Sequence, residues 1–367
     1  MRVFGATVAF LLAVVAAVNG LAAWDRLAHE RQVRSAAAQL QPGQALLGYR
    51  DSDERRFQQA RLEVIPRPRV VAFGSSRVMS ASTAMVGVGS GEFYNAGLSG
   101  GTVEDFIVLW SVLERRGALP DTVVLAIDNW EFNRMHPQLR WLEWADEVNR
   151  FVDADAASRA PLAHALGPAI YRWYQAKELL SYTVFKASLT DLRRLARGRS
   201  RRGAEIVESL QRDLVPESDV AGRRALRSDG SIIYERSYVD HTVEQVRDEA
   251  MRYAASFKGN LGNFQWDRER AARLELLWRD MHARGVRVVA YLPPYHPAVW
   301  AALSRDPRNV AAVSATETFM THLAGRMNAR LANFTDPASI PCAEAEFLDG
   351  SHARDSCVER ILRRLLG

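Results

Sequence analysis

Apolar and polar positions alternate differently in five stretches of the chain. From Val3 to Trp24 the residues read VFGATVAFLLAVVAAVNGLAAW, without a charge and with Arg2 just before them. About 20 apolar residues span a bilayer core, so residues 1–24 are expected to form a transmembrane helix. An uncleaved signal anchor is the favoured form, and a signal peptide cleaved near Gly20-Leu21-Ala22 is the alternative. Both put the rest of the chain outside the cytoplasmic membrane, in the periplasm. Arg26, Arg31 and Arg34 follow the segment and weigh against that orientation, and Asp25 and Glu30 barely offset them.

Residues 25–68 are rich in Ala, Gln and Arg and only weakly helical in pattern. They read as a polar stalk, ending in the stiff extended linker Ile65-Pro66-Arg67-Pro68. In residues 69–130 short apolar runs alternate with helical periodicity. Strands are expected at 69–73, 92–95 and 123–127, with a helix from Thr102 to Arg116. Residues 131–265 lose the alternation and show amphipathic helical stretches, such as Tyr171 to Leu195. There Ser228-Asp229-Gly230-Ser231 before Ile232-Ile233-Tyr234 reads as a hairpin. Residues 266–367 return to the first pattern. They give a helix from Asp267 to Arg284 closed by Gly285, a strand from Val286 to Tyr291, a helix near Ala311 to Ala332, and a last helix from Asp355 to Leu366. Strands separated by helices imply an α/β fold with a doubly wound parallel sheet. The central stretch is then a largely helical insertion between the two parts of the core.

Composition narrows the class. The 367 residues are 48% hydrophobic and 25% charged, with a net charge of +5, which suits a globular domain with its own core. Most charges are interleaved, which argues against a nucleic-acid partner. The basic run from Arg193 to Arg202 reads as a solvated loop, with an anionic lipid surface or acidic glycan as the sharper alternative. The two cysteines, Cys342 and Cys357, have no zinc or iron–sulfur spacing, so no metal or other cofactor is expected.

Candidate chemistry sits where strands end, because ligands of open α/β sheets bind beyond the carboxyl ends of the strands. Gly74-Ser75-Ser76-Arg77 follows the first core strand and is expected to lead into a helix whose positive end lies near the serines. Asn95-Ala96-Gly97-Leu98-Ser99-Gly100-Gly101 follows the second, and its glycines let backbone amides approach a ligand. Asp128-Asn129 follows the third. Asp349-Gly350-Ser351-His352 precedes the last helix, and a carboxylate three residues before a histidine can orient the ring so that its other nitrogen accepts a proton. Taken singly, each also reads as a cap or turn.

Together these segments resemble the SGNH hydrolase superfamily, which implies a flavodoxin-like sheet and a serine nucleophile. Across about residues 69–130 and 285–365, Gly74-Ser75-Ser76 resembles its first block, Asn95 to Gly100 its second, and Asp349 with His352 its last. By that resemblance Ser76, His352 and Asp349 are catalytic, and the oxyanion donors are the amides of Ser76 and Gly100 with Asn129. The third block departs from the family pattern: Ala126-Ile127-Asp128-Asn129 stands in place of G-x-N-D, so that either Asp128 or Asn129 takes the third position. Ser75 and Arg77 in the first block look more like the exported, membrane-anchored branch, which includes the D-alanyl transfer protein and alginate O-acetylation proteins.

The resemblance implies serine-dependent acyl transfer or ester hydrolysis on a cell-surface glycan. The implied partners are the cytoplasmic membrane, the glycan and a multi-pass membrane acyltransferase that hands over acyl groups. A non-catalytic glycan-binding or assembly component with the same fold is the competing class. Arg77, Asp128, Tyr295 and His296 are candidate substrate contacts, with pairing of Arg77 to Asp128 or Glu131 as the alternative. Cys342 and Cys357 bracket Asp349 and His352. An exported protein permits a disulfide there, and two buried thiols are the other reading.

Overall fold

A computed structural model describes residues 14, 15, 17, 31–48, 54–136, 138–154, 213–255, 261 and 263–367. Most of the apolar segment 3–24, the helical stretch Tyr171 to Leu195 and the basic run Arg193 to Arg202 lie outside the described residues. Among the described residues, no helix is long and apolar enough to cross a membrane.

The strands in chain order are β1 (Gln44–Leu47), β2 (Val70–Phe73), β3 (Phe93–Asn95), β4 (Thr122–Ala126), β5 (Leu214–Pro216), β6 (Ala225–Arg227), β7 (Ile232–Ile233), β8 (Arg287–Leu292) and β9 (Arg330–Asn333). Five of them form a parallel sheet in the order β3-β2-β4-β8-β9. The chain runs outward from β2 in one direction and then reverses to β4. The crevice between those two strands is therefore the topological switch point at which such sheets bind ligands.

The helices are α1 (Glu54–Val64), α2 (Thr83–Val86), α3 (Val103–Arg115), α4 (Ala145–Ala154), α5 (Arg236–Val239), α6 (Val243–Ala255), α7 (Arg268–Ala283), α8 (Pro297–Leu303), α9 (Pro307–Arg326) and α10 (Asp355–Leu366). Both faces of the sheet are covered, which is why its strands read as unbroken apolar runs. Val71, Phe73, Val123, Leu125, Val288 and Ala290 face one layer, packed with Trp110 of α3 and Trp278 of α7. The alternate positions Val70, Ala72, Val124, Ala126, Val289 and Tyr291 face the other, packed with Ile361 and Leu362 of α10.

Local chemistry sets the helix ends. Asp267 accepts from the amides of Glu269 and Arg270 at the start of α7. Gly285, at φ +76°, closes that helix and lets the chain turn into β8. The helix expected to run to Ala332 stops at Arg326 instead. Asn328, at φ +46°, breaks it, and Arg330–Asn333 pairs with β8 as the edge strand β9.

The hairpin is present. Its arms, β6 and β7, belong to a four-stranded antiparallel sheet in the order β5-β1-β6-β7. Strand β1 comes from the stretch expected to be a stalk, so that stretch is built into the fold in its described part. Residues 31–39 are helical, and Val33, Ala36 and Ala37 pack with Phe57 of α1 and Leu226 of β6.

Cys342 and Cys357 are joined by a disulfide with a Cα–Cα distance of 5.6 Å. It ties the loop after β9 to the first turn of α10 across a sequence separation of 15 residues. Replacing both cysteines with serine is expected to lower stability by about 3 kcal/mol, the chain-entropy value for a loop of this size. Denaturant titration of the oxidised protein and the double variant checks this, and equal midpoints contradict it.

Candidate active site

The first block is shaped by close packing. A Cβ at Gly74 would lie 2.8 Å from Ala126 Cβ and 2.9 Å from Val78 Cγ1, so only glycine lets the ends of β2 and β4 meet. After it the chain makes successive turns from Ser75 to Ser80. The helix expected directly after Ser76 is absent, and α2 begins only at Thr83. Asn95 holds these turns in place: its Nδ2 donates to the carbonyls of Val78 at 2.7 Å and Ala81 at 2.8 Å. A helix dipole therefore plays no part at Ser76.

Asn95 also ties the second block to the first. Its Oδ1 accepts from the Gly97 amide at 2.8 Å, and the Leu98 amide donates to the Gly74 carbonyl at 3.0 Å. Gly100 has φ +57°, a left-handed conformation that favours glycine, and a Cβ there would displace only the tip of the Gln138 side chain. Among the described residues, the backbone N–H groups of Ser76 and Gly100 have no hydrogen-bond acceptor.

The far end of the chain closes the site. His352 Nε2 lies 2.8 Å from Ser76 Oγ, and His352 Nδ1 lies 2.8 Å from Asp349 Oδ2. The amides of Ser351 and His352 donate to Asp349 Oδ1 at 2.7 Å and 2.8 Å, so the carboxylate is fixed by its own turn. In this arrangement Nδ1 carries the proton shared with Asp349, and Nε2 is the acceptor that faces the serine.

Electrostatics follow from the same contacts. Burial opposes the Asp349 charge, but His352 and the two backbone donors outweigh it and hold the carboxyl well below its usual range. Burial also works against an imidazolium at His352, yet the Asp349 charge and hydrogen bond prevail and raise its pKa.

Arg77, next to Ser76, is buried. Its Nη1 donates to Asp128 Oδ1 at 2.7 Å, its Nε to the Ser351 carbonyl at 3.0 Å, and its Nη2 to the Pro294 carbonyl. Its guanidinium stacks 4.4 Å from the Tyr295 ring centroid. Every face of the group is occupied, so pairing with Asp128 is the reading the structure supports, and Arg77 is not presented to a substrate.

The other candidate contacts share that fate. Asp128, Tyr295 and His296 are buried at 1%, 0% and 0% exposure. His296 Nδ1 accepts from the Ala298 amide at 3.1 Å and caps α8. Asn129, expected to aim its carboxamide at the oxyanion, has no exposed surface; its Nδ2 donates to Thr335 Oγ1 through a long 3.4 Å bond. The third block thus presents neither Asp128 nor Asn129 to the crevice, because the first is held in an ion pair and the second is enclosed.

Residues outside the recognised segments complete the site. Helix α1 turns Glu54, Arg55, Gln58 and Arg61 inward. Glu54 accepts from the Ser99 amide at 2.6 Å and from its hydroxyl at 2.7 Å, while Gln58 Nε2 donates to the Asn95 and Gly97 carbonyls. Arg55 makes a two-pronged pair with Asp105 at 2.7 Å and 2.8 Å, at the start of α3. The hairpin turn docks on β3: the Asn95 amide donates to the Asp229 carbonyl at 2.7 Å, and a Cβ at Gly230 would lie 2.1 Å from the Asn95 carbonyl oxygen. That docking brings Tyr234 and Tyr238 to the site. Tyr234 Oη lies 3.4 Å from the Ser76 carbonyl, and Tyr238 Oη lies 2.8 Å from Asp349 Oδ2. A cavity of about 450 Å³ adjoins them, lined by Ile232, Tyr234, Arg236, Val239 and Leu348 among others. Aromatic residues after a Gly-containing hairpin turn were the sequence signal for this wall.

Among the described residues, no cluster of three His, Cys, Asp or Glu side chains could hold a metal ion. No known protein family matches the chain, and no curated protein matches it either.

A base acts only when unprotonated, so the raised His352 pKa fixes the sign of a pH effect. Nucleophilic reactivity of Ser76 is expected to fall as pH drops, with a midpoint above the ordinary imidazole value of 6.5. The rate of Ser76 modification by a fluorophosphonate, measured against pH, checks this. A midpoint at or below 6.5 contradicts it.

Proposed function

We propose that the protein is a serine-dependent acyltransferase or esterase of the SGNH type. The observation that carries this reading is the line Ser76 Oγ to His352 Nε2 at 2.8 Å and His352 Nδ1 to Asp349 Oδ2 at 2.8 Å, at the switch point of the parallel sheet. In the proposed reaction His352 takes the Ser76 proton as Ser76 Oγ attacks an acyl carbonyl. The developing oxyanion is met by the Ser76 and Gly100 amides, each worth about 2.7–4 kcal/mol if it behaves as a typical donor of this kind. The tetrahedral intermediate collapses to an acyl-serine, and His352 returns its proton to the departing alkoxide. Water or a sugar hydroxyl, deprotonated by His352, then attacks the acyl-serine and frees Ser76.

The compartment and substrate belong to the same proposal. The uncharged segment from Val3 to Trp24 anchors the chain in the cytoplasmic membrane, with the serine site outside. A disulfide within 341–358 suits an oxidising compartment. The acceptor is a cell-surface polysaccharide or similar glycan, and a multi-pass membrane acyltransferase supplies acyl groups. The cavity lined by Tyr234, whose hydroxyl lies 3.4 Å from the Ser76 carbonyl, has apolar and charged walls of the kind that hold a ligand, which supports this reading.

A fluorophosphonate probe is expected to label the wild-type protein at Ser76. Labelling is expected to vanish in Ser76→Ala and to slow at least about a hundredfold in His352→Gln, since general-base help contributes about 10²–10⁴-fold. Mass spectrometry of the labelled peptide reads the site. Undiminished labelling of Ser76→Ala contradicts the proposal.

A further inference from the structure

Tyr238 belongs to the short helix α5 of the insertion, yet it touches the charge that orients His352. Its Oη donates to Asp349 Oδ2 at 2.8 Å, and the same oxygen receives His352 Nδ1 at 2.8 Å. Oη also lies 3.5 Å from His352 Nδ1 itself. The other carboxylate oxygen is taken by the Ser351 and His352 amides. With the Ser351 hydroxyl at 3.4 Å from Oδ1, the carboxylate therefore holds five donors, and two of them, one from each part of the fold, share Oδ2.

We infer that Tyr238 is a positioning residue of the Ser76 site, acting through Asp349 to weaken that carboxylate's hold on the His352 proton. The inference rests on the proposed serine chemistry and deepens it. A donor to an ionised carboxylate spreads its charge, so less of that charge acts on the neighbouring imidazolium. Burial and the Asp349 charge push the Tyr238 phenol above its ordinary range, so it remains a donor throughout the working pH range.

The surroundings of both rings are defined. His352 feels Asp349 and Asp128, which favour its proton, and Arg77, which opposes it. Ser76 and Ser351 face its nitrogens, and the Tyr234 ring centroid lies 6.5 Å away. Tyr238 feels Asp349, Tyr234 and Glu249, and packs edge-on to His241 at 5.7 Å. None of these groups substitutes for the phenol on Asp349 Oδ2.

The test is the titration of His352 in the full-length protein, followed by NMR with isotopically labelled histidine and assigned by the resonance lost in His352→Gln. Tyr238→Phe is expected to move the His352 titration to higher pH. A 3-fluorotyrosine at position 238, a stronger donor, is expected to move it lower, and this variant decides the matter if Tyr238→Phe fails to fold. Fluorophosphonate labelling of Tyr238→Phe should slow about tenfold near pH 6 and less than about twofold on the alkaline plateau, since each pH unit is a factor of ten in the neutral base. A phenol that merely fills space would lower the plateau and leave the titration in place. An unmoved or oppositely moved titration overturns the inference. A wild-type protein whose His352 responds as expected but whose Ser76 takes no label overturns the serine reading alone.

Discussion

One buried guanidinium joins the parts on which the site depends. Arg77 follows Ser76 directly and reaches Asp128 beyond β4, the Pro294 carbonyl beyond β8 and the Ser351 carbonyl beside His352. The serine turn and the histidine turn, 276 residues apart, are thus indexed to the same rigid plane. Removing one partner of such a buried pair typically costs about 3–5 kcal/mol, because the other charge is left uncompensated. A lysine could not replace it, since three acceptors and a stacked ring require a planar, multiply donating group. Asp128, at 1% exposure, neutralises Arg77 inside the fold.

Around that joint the fold adds two clamps. The inward face of α1 holds the Asn95–Gly101 loop from one side through Glu54 and Gln58. The hairpin turn of the insertion holds the edge of β3 from the other and delivers Tyr234 and Tyr238. The disulfide fastens the loop that carries Asp349 and His352 to α10. Each clamp grips backbone amides and carbonyls of loops, so the geometry at Ser76 is set by polar contacts laid over an apolar sheet.

The parallel sheet and the two ends of the site were legible in the sequence because their signals are local. Buried runs such as Val70–Phe73 and Val123–Leu125 have one reading, Gly74 marks a place where a side chain cannot fit, and Gly100 a left-handed backbone. The polar face of α1 was not legible. Glu54, Arg55, Gln58 and Arg61 look like a solvated stalk until their partners are known: the backbone groups of a glycine loop, Asp105, and for Arg61 the carbonyls of Ala37 and Ser228. Tyr238 was missed for a related reason: a lone tyrosine gains meaning only when the hairpin docks and carries it to Asp349. Asn129 was misjudged because spacing places it after β4 but does not say that its side chain is enclosed next to Thr335. Strand β9 was hidden because Arg330-Leu331-Ala332-Asn333 is half exposed at a sheet edge and continues a helical pattern.

The central claim is that Ser76 becomes covalently acylated with His352 as its base. The most direct measurement is intact-protein and peptide mass spectrometry after brief exposure to an activated acetyl ester and acid quench. The account predicts a single acetyl group on the peptide containing Ser76, absent when His352 is replaced by Gln. Acetylation confined to other residues, or equal acetylation of Ser76 without the imidazole, would contradict it.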